Sequence, residues 1–146
     1  LAVSLNLRCA FQCLQAVLPG MREGGFGRVV NITSRAALGK DLRSAYAATK
    51  AGLIGLTRVW ALELGRHGVT ANAIGPGPVR TPLFEAANPP DAPRTRAIVE
   101  AIPVRRMGEP DDVAEAASYF LSRHSGFVTG QTLYVCGGMT VGVAPA

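Results

Sequence analysis

Apolar side chains recur at helical spacing over residues 1–18, and this pattern predicts an amphipathic helix. Pro19 and Gly20 are expected to end it, because proline has no backbone N–H with which to continue the hydrogen-bond ladder. The apolar positions are Leu1, Leu5, Leu7, Ala10, Phe11, Leu14, Val17 and Leu18.

Two further helices are predicted downstream. Residues 44–66 form the longer one, which begins at Ser44 as its amino-terminal cap and is closed by Gly68. The other spans residues 110–123, because a proline in the first helical turn followed by two aspartates favours a helix start.

Three short segments are rich in β-branched or apolar residues and bounded by turn residues, which is typical of buried strands. They are residues 28–33, 69–74 and 132–135. Strands that alternate with helices of this length form βαβ units, in which the strands lie parallel. The pattern therefore predicts an α/β fold with a doubly wound parallel sheet.

Residues 75–108 follow neither periodicity. They hold seven of the ten prolines and only a weak helical pattern near residues 94–101. A long connection of this kind inside a compact domain is commonly a lid or a substrate-binding loop. We therefore expect this segment to be poorly structured and to cover a ligand site.

The composition is that of a compact folded domain, since 48% of the 146 residues are hydrophobic and 17% are charged. One domain spanning residues 1–146 is expected. The apolar stretches end well before the roughly 18 residues that a bilayer span needs, and no signal-peptide pattern is present. The three cysteines form no CxxC pair, so neither a disulfide framework nor a metal site is expected, and a cytoplasmic location fits.

The net charge of +5 raises the question of a nucleic-acid partner. The basic residues are scattered in runs of two at most, and no basic helix carries interleaved exposed aromatic residues. We therefore expect neither a nucleic-acid nor a membrane partner. The charge is consistent with at most a mild attraction to anionic substrates or cofactors.

Tyr46 and Lys50 are candidate chemical groups, because positions i and i+4 lie on one face of a helix. A phenol is a poor base at neutral pH, but an ammonium group held close to it favours the phenolate and lowers the phenol pKa. Such a pair could exchange a proton with a substrate oxygen. A surface tyrosine beside a surface lysine is the alternative reading of this spacing.

Ser34 follows the first predicted strand, at the edge of the sheet where open α/β folds place their ligand crevice. Its hydroxyl could donate a hydrogen bond to a carbonyl oxygen and hold that oxygen against Tyr46. Thr33 offers an adjacent hydroxyl for the same role, and the sequence leaves the choice open. A serine that only begins a turn is the alternative. No GxSxG motif surrounds Ser34, which argues against a serine hydrolase.

Several motifs occur in a characteristic order along the chain. They are Asn31-Ile-Thr-Ser34, Tyr46-Ala-Ala-Thr-Lys50-Ala-Gly52, Asn72-Ala-Ile-Gly-Pro76-Gly77-Pro78-Val79-Arg-Thr81, Gly130 and Gly137-Gly138. Because these motifs occur in this order, the chain resembles the short-chain dehydrogenase/reductase family, in particular its 3-oxoacyl-acyl-carrier-protein reductases. A YxxxK pair alone is a weak signal, whereas its combination with the upstream serine and the downstream Pro-Gly-Pro-Val segment is specific.

The resemblance implies a Rossmann-like fold and an enzyme that interconverts a carbonyl and a secondary alcohol, with NAD or NADP as cofactor. It implies that Tyr46 is the catalytic acid/base and also contacts the cofactor, and that Lys50 supports Tyr46 and binds the nicotinamide ribose. Ser34 would orient the substrate oxygen. Asn6 resembles the family's helix asparagine, which holds a water linking Lys50 to solvent; an exposed polar side chain is the alternative.

The same resemblance assigns Pro76, Gly77, Val79 and Thr81 to the loop that cradles the nicotinamide. Gly77 would allow close backbone approach, Val79 would offer its main-chain groups to the carboxamide, and Thr81 would add a hydroxyl. An ordinary turn after a strand is the alternative. Residues from about 77 to 108 would then form the lid over a small-molecule substrate.

The family's glycine-rich phosphate loop has no counterpart in this sequence. No GxxxGxG or GxGxxG occurs, and Gly24-Gly25-Phe26-Gly27 precedes a strand instead of following one. We therefore interpret the chain as a carboxyl-terminal fragment without the amino-terminal nucleotide-binding half, and NAD is not distinguished from NADP. A homodimer or homotetramer is expected of the full-length protein. The alternative is a catalytically inactive truncated fragment that retains only oligomer contacts.

Overall fold

A computed structural model describes residues 1–142 of the chain, so the end of the expected domain, residues 143–146, lies outside the description. Three parallel strands form one sheet in the order β1-β2-β3. This confirms the predicted α/β class and parallel sheet, and each strand begins and ends within two residues of its predicted bounds. The strands are β1 (Gly27–Ile32), β2 (Val69–Pro76) and β3 (Thr132–Val135).

Helices cover both faces of the sheet. The described α-helices are α1 (Cys9–Glu23), α2 (Ser44–Leu64), α3 (Pro82–Ala87), α4 (Pro93–Glu100) and α5 (Pro110–Leu121). Shorter turns are a π-helical turn at Ser4–Arg8 and 3-10 helices at Arg35–Leu38, Gly65–His67 and Arg123–Ser125. None of the helices in this part of the chain is long and apolar enough to cross a membrane.

The central strand β2 is buried along nearly its whole length, as expected for the middle of a parallel sheet with both faces covered. Successive side chains of a strand point to opposite faces. Val69 and Ala71 therefore pack against α1 and α2, while Ile74 packs against α5. The first of these two core clusters contains Leu14, Trp60, Ala61, Leu64, Val69 and Ala71, and the second contains Ile74, Ala116 and Phe120.

The predicted end of the first helix at Pro19 is wrong, because α1 continues through this proline to Glu23. Proline removes one hydrogen bond of the helical ladder. Leu18 and Met21, on either side of it, pack against the core cluster that contains Leu14. Burial of these apolar side chains offsets the lost hydrogen bond, so the helix persists until Gly24.

The start of α2 also differs from the prediction. Ser44 is its first helical residue rather than its cap; Arg43 occupies the cap position without a side-chain hydrogen bond. At the other end the prediction is confirmed, because Gly68 adopts the left-handed conformation after the 3-10 turn that extends α2.

The segment 75–108 is more ordered than predicted. It contains α3 and α4, each of which begins with a proline at its first turn. The fixed φ of proline suits the first turn of a helix, where no N–H is needed, so these prolines start helices instead of preventing them. That residues 77–108 act as a lid stays a prediction.

A buried polar contact ties α2 to β1. The side-chain amide of Asn31 donates to the hydroxyl of Thr57 over 2.8 Å, and Thr57 donates in turn to the carbonyl of Leu53, also over 2.8 Å. Asn31 and Thr57 are both buried. Because buried polar groups are costly without partners, this pair opposes sliding or rotation of α2 over the strand.

Replacement of Gly68 with alanine tests the turn between α2 and β2. Gly68 has a φ of +73°, and an added Cβ would overlap the carbonyl oxygen of Gly25. Gly68→Ala should therefore lower the free energy of unfolding, measured in urea, by at least about 1–2 kcal/mol. Gly55→Ala is the control: a Cβ added at this exposed helical position would meet nothing within 4 Å, so the free energy of unfolding should rise by about 0.5–1 kcal/mol. Equal changes in the free energy of unfolding for the two variants would contradict the assignment of a strained, crowded turn at Gly68.

Candidate active site

The ammonium group of Lys50 lies at the carboxyl end of β1. Its Nζ donates a hydrogen bond to the carbonyl oxygen of Ile32 over 2.9 Å. The side chain is half-buried, and this burial lowers the pKa of Lys50 below its ordinary value. An ammonium group has three hydrogens, so two remain for other acceptors once Ile32 is satisfied.

Tyr46 lies one helical turn before Lys50, as the spacing predicted. The Lys50 Nζ is 5.7 Å from the centre of the Tyr46 ring, within the range of a cation–π contact. Tyr46 is 39% exposed, so the ring is open to solvent and not sealed in the core. The pair therefore combines a fixed cation with an accessible phenol.

The structure separates the two candidate hydroxyls at the end of β1. Thr33 is only 2% exposed, and its hydroxyl donates to the main-chain carbonyl of Lys50 over 2.6 Å. Ser34 is partly exposed, and its Oγ accepts the N–H of Ala36 over 3.1 Å at the start of the 3-10 helix. The hydroxyl hydrogen of Ser34 remains available to a ligand, whereas that of Thr33 holds α2.

Asn6 contacts the same turn of α2 through Thr49. Its side-chain amide donates to the hydroxyl of Thr49 over 3.0 Å, and Thr49 donates to the carbonyl of Tyr46 over 2.9 Å. Asn6 lies in the π-helical turn that precedes α1, where a regular helix was predicted. Such turns are frequent at functional sites because they re-aim side chains. Sequence reasoning missed both this turn and Thr49.

The loop that follows β2 begins at the same edge of the sheet. The N–H of Thr33 donates to the carbonyl of Ile74, which places the ends of β1 and β2 side by side. Pro76 pairs with Val135 of β3, and the N–H of Gly77 donates to the Val135 carbonyl over 2.9 Å. The loop therefore leaves the sheet beside the tyrosine and lysine.

Val79 presents free main-chain groups in this loop. It forms a parallel bridge with Gly108, but both hydrogen bonds of this bridge involve its neighbours. The N–H of Gly108 donates to the Pro78 carbonyl, and the N–H of Arg80 donates to the Gly108 carbonyl. The N–H and C=O of Val79 therefore point away from Gly108, and within residues 1–142 neither has a hydrogen-bond partner. A donor and an acceptor on one residue fit the amide group of a nicotinamide.

A cleft of about 200 Å³ lies beside this loop. Its walls come from the loop after β2, the segment between α4 and α5, and the end of β3. The lining residues are Pro78, Val79, Ile102, Val104, Arg106, Gly108, Asp112, Val135, Cys136 and Gly137.

Gly77 and Thr81 have structural roles that the sequence did not reveal. A Cβ on Gly77 would lie 2.8 Å from the Cα of Cys136, so the close approach made possible by this glycine is to the residue that follows β3. The Thr81 hydroxyl accepts the N–H of Phe84 over 3.2 Å and caps α3. Their contacts with a cofactor stay predictions.

Tertiary structure thus brings the predicted residues to one edge of the sheet in two groups. Ser34, Tyr46 and Lys50 surround the end of β1, with Asn6 joined to them through Thr49. The second group is the loop that leaves β2 and contains Pro76, Gly77, Val79 and Thr81. The first group can exchange a proton with a ligand oxygen, and the second can hold a polar planar ring beside it.

Residues 1–140 match the family model described as Enoyl-(Acyl carrier protein) reductase. Among curated proteins, the chain is 42% identical over 139 residues to (2S)-[(R)-hydroxy(phenyl)methyl]succinyl-CoA dehydrogenase subunit BbsD of Thauera aromatica, covering 95% of this chain and 55% of the relative. It is 36% identical over 138 residues to a 3-oxoacyl-acyl-carrier-protein reductase of Rickettsia typhi, covering 94% and 56%.

Solved structures similar to this chain are also oxidoreductases. A gluconate 5-dehydrogenase from Burkholderia cenocepacia, in complex with NADP and tartrate, superposes with a TM-score of 0.89 at 34% identity. The match covers 97% of this chain and 55% of that chain. This chain therefore spans about half the length of the relatives it matches.

Lys50 gives a testable pH dependence of stability. Its pKa lies below 10.5 in the folded chain because of burial, and unfolding restores the ordinary value. Between these two values the unfolded chain binds more protons at Lys50 than the folded chain, so the free energy of unfolding rises with pH across that interval. Lys50→Met should remove this rise, which urea denaturation of both proteins from neutral pH upward would measure.

Arg58→Met is the matched control, because Arg58 is an exposed cation on the same helix. The free energy of unfolding of Arg58→Met should change with pH in the same way as that of the wild type. A Lys50→Met profile that also runs parallel would contradict the assigned pKa direction.

Proposed function

Because the chain belongs to the short-chain dehydrogenase/reductase family, we propose that it carries the proton-transfer machinery of an oxidoreductase that interconverts a carbonyl and a secondary alcohol with NAD or NADP. One observation carries the proposal. The Lys50 ammonium is fixed on the Ile32 carbonyl beside an accessible Tyr46, at the strand end where Ser34 presents its hydroxyl.

Tyr46 is the proposed acid/base. Its phenol gives a proton to the substrate oxygen during reduction and takes it back during oxidation. Lys50 places a positive charge 5.7 Å from the centre of the Tyr46 ring, and its half-buried position makes that charge interact more strongly with its neighbours than a fully solvated cation would. Positioned acid/base groups of this kind typically contribute about 10²–10⁴-fold to a rate.

Ser34 is the proposed orienting group. Its Oγ accepts the N–H of Ala36, so the hydroxyl hydrogen is the part left for the substrate oxygen. A hydrogen bond from this group would place the oxygen opposite Tyr46 and polarise the carbonyl. Thr33 is not proposed for this role, because it is buried and bonded to the Lys50 carbonyl.

The residues present fit a nicotinamide nucleotide at its ring end. When bound, NAD or NADP would accept or supply the hydride. The unpaired N–H and C=O of Val79 would hold the carboxamide, and the two remaining hydrogens of Lys50 would bind the ribose hydroxyls. The hydrogen bond from the Phe84 N–H to the Thr81 hydroxyl caps the start of α3 next to this loop.

Asn6 is proposed to hold a water on the solvent side of Lys50, through which a proton reaches bulk solvent. Its amide donates to Thr49, so its side-chain oxygen remains free to accept a hydrogen bond from such a water. The path would let the tyrosine–lysine pair recover its proton after each turnover.

Tyr46→Phe tests the proposal directly. NADH or NADPH should show enhanced fluorescence with the wild-type chain and with Tyr46→Phe, since the phenol is not the main cofactor contact. Turnover of a 3-oxoacyl-CoA or of gluconate should fall by about 100-fold or more in Tyr46→Phe, which lacks the transferable proton. Tyr119→Phe, at an exposed tyrosine of α5, is the control and should keep wild-type turnover.

Equal turnover by Tyr46→Phe and Tyr119→Phe would remove Tyr46 from its role. No fluorescence change with either cofactor, together with no turnover of either substrate by the wild-type chain, would favour the alternative that this chain is an inactive fragment retaining oligomer contacts. The homodimer or homotetramer expected of the full-length protein stays a prediction.

A further inference from the structure

The turn of α2 that carries Tyr46 lacks the usual stabilisation of a helix start. Tyr46 is the third residue of α2, so its N–H is among those that find no partner within the helix. The cap residue Arg43 makes no side-chain hydrogen bond to this turn, and the turn holds no acidic residue to offset the helix dipole. Helix ends without such contacts open readily. Hydrogen bonds from outside the turn are therefore what can fix the position of Tyr46.

Thr49 supplies such a hydrogen bond from the next turn of the helix. Its hydroxyl donates to the main-chain carbonyl of Tyr46 over 2.9 Å, a bond that threonine can make with the carbonyl three residues earlier in a helix. Thr49 is buried, so removal of this hydroxyl would leave its partners without a substitute from solvent. The bond therefore ties the exposed start of α2 to a residue that cannot move freely.

Thr49 is itself anchored from outside α2. The side-chain amide of Asn6 donates to the Thr49 hydroxyl over 3.0 Å, although the two residues are 43 positions apart in the chain. Next to this bond Leu7 packs on Gly52, where an added Cβ would lie 3.0 Å from a methyl carbon of Leu7. The missing side chain at Gly52 thus lets the π-helical turn Ser4–Arg8 come close enough to α2 for the Asn6 amide to reach Thr49.

We propose that Thr49 is a positioning residue for the tyrosine–lysine pair. Its hydroxyl accepts the Asn6 amide and donates to the Tyr46 carbonyl, and it thereby keeps the uncapped first turn of α2 closed. The Tyr46 phenol then stays beside the Lys50 ammonium. The inference rests on the proposed function for the role of Tyr46 as acid/base, whereas the closed turn can be measured without turnover.

A second threonine of α2 provides a matched control. Thr57 is also buried, its hydroxyl also accepts an asparagine amide, that of Asn31, and it also donates to a carbonyl of its own helix, that of Leu53. It lies eight residues beyond Thr49, away from the start of the helix. Loss of either hydroxyl leaves an asparagine amide unpaired, so Thr49→Val and Thr57→Val should lower the free energy of unfolding by similar amounts.

Hydrogen exchange followed by NMR tests whether Thr49 keeps the first turn closed. The reporter is the Ala47 N–H, which donates to the Arg43 carbonyl over 2.7 Å at the start of α2. Thr49→Val should speed exchange at Ala47 about fivefold, the effect of one lost hydrogen bond on local opening. Thr57→Val should leave exchange at Ala47 unchanged, and Thr49→Ser, which keeps the hydroxyl, should behave as the wild type.

Turnover provides the second readout, with the substrates and cofactors used for Tyr46→Phe. Thr49→Val should lower kcat about tenfold or more, because a small displacement of a reacting group is enough to slow a reaction strongly. The Kd for NADH or NADPH should stay at its wild-type value, because Ile32 and Thr33 still hold Lys50. Thr49→Ser should restore kcat, and Thr57→Val should keep it.

Two results would overturn the proposal: wild-type exchange at Ala47 in Thr49→Val, or a kcat of Thr49→Val no lower than that of Thr57→Val. Unchanged turnover in Tyr46→Phe would instead remove the proposed function, and the exchange result at Ala47 would still stand. The failure of the positioning role and the failure of the proposed function can therefore be told apart.

Discussion

The candidate site depends on two hydrogen bonds that join Lys50 of α2 to the end of β1. The side chain of Lys50 donates to the carbonyl of Ile32, and the main-chain carbonyl of Lys50 accepts from the buried hydroxyl of Thr33. Lys50 is thus held through both its side chain and its main chain, by the last residue of β1 and by the residue that follows it. This places the ammonium group, the Tyr46 ring one turn away and the hydroxyl of Ser34 at a single edge of the sheet.

Apolar and polar contacts together hold α2. Its carboxyl half packs Trp60 and Leu64 into the apolar core against α1 and β2. Its first two turns, which carry the chemistry, are also held by hydrogen bonds: Thr33 with Lys50 and Asn6 with Thr49. Apolar packing tolerates small rotations, whereas hydrogen bonds have narrow distance and angle ranges. A helix anchored in this way can leave Tyr46 exposed and still fix its position.

The sequence by itself determined the α/β class, the three strands and the tyrosine–lysine pair, because hydrophobic periodicity and the i, i+4 spacing are local properties of a chain. It was wrong at Pro19 and Ser44 and in treating residues 75–108 as poorly structured, where burial and helix-start chemistry outweighed simple turn signals. Only the tertiary structure shows that the Thr33 hydroxyl is buried against the Lys50 carbonyl whereas Ser34 is partly exposed, and that Asn6 is joined to α2 through Thr49. Those outcomes depend on contacts between residues far apart in the chain, and no local pattern records which hydroxyl will be buried.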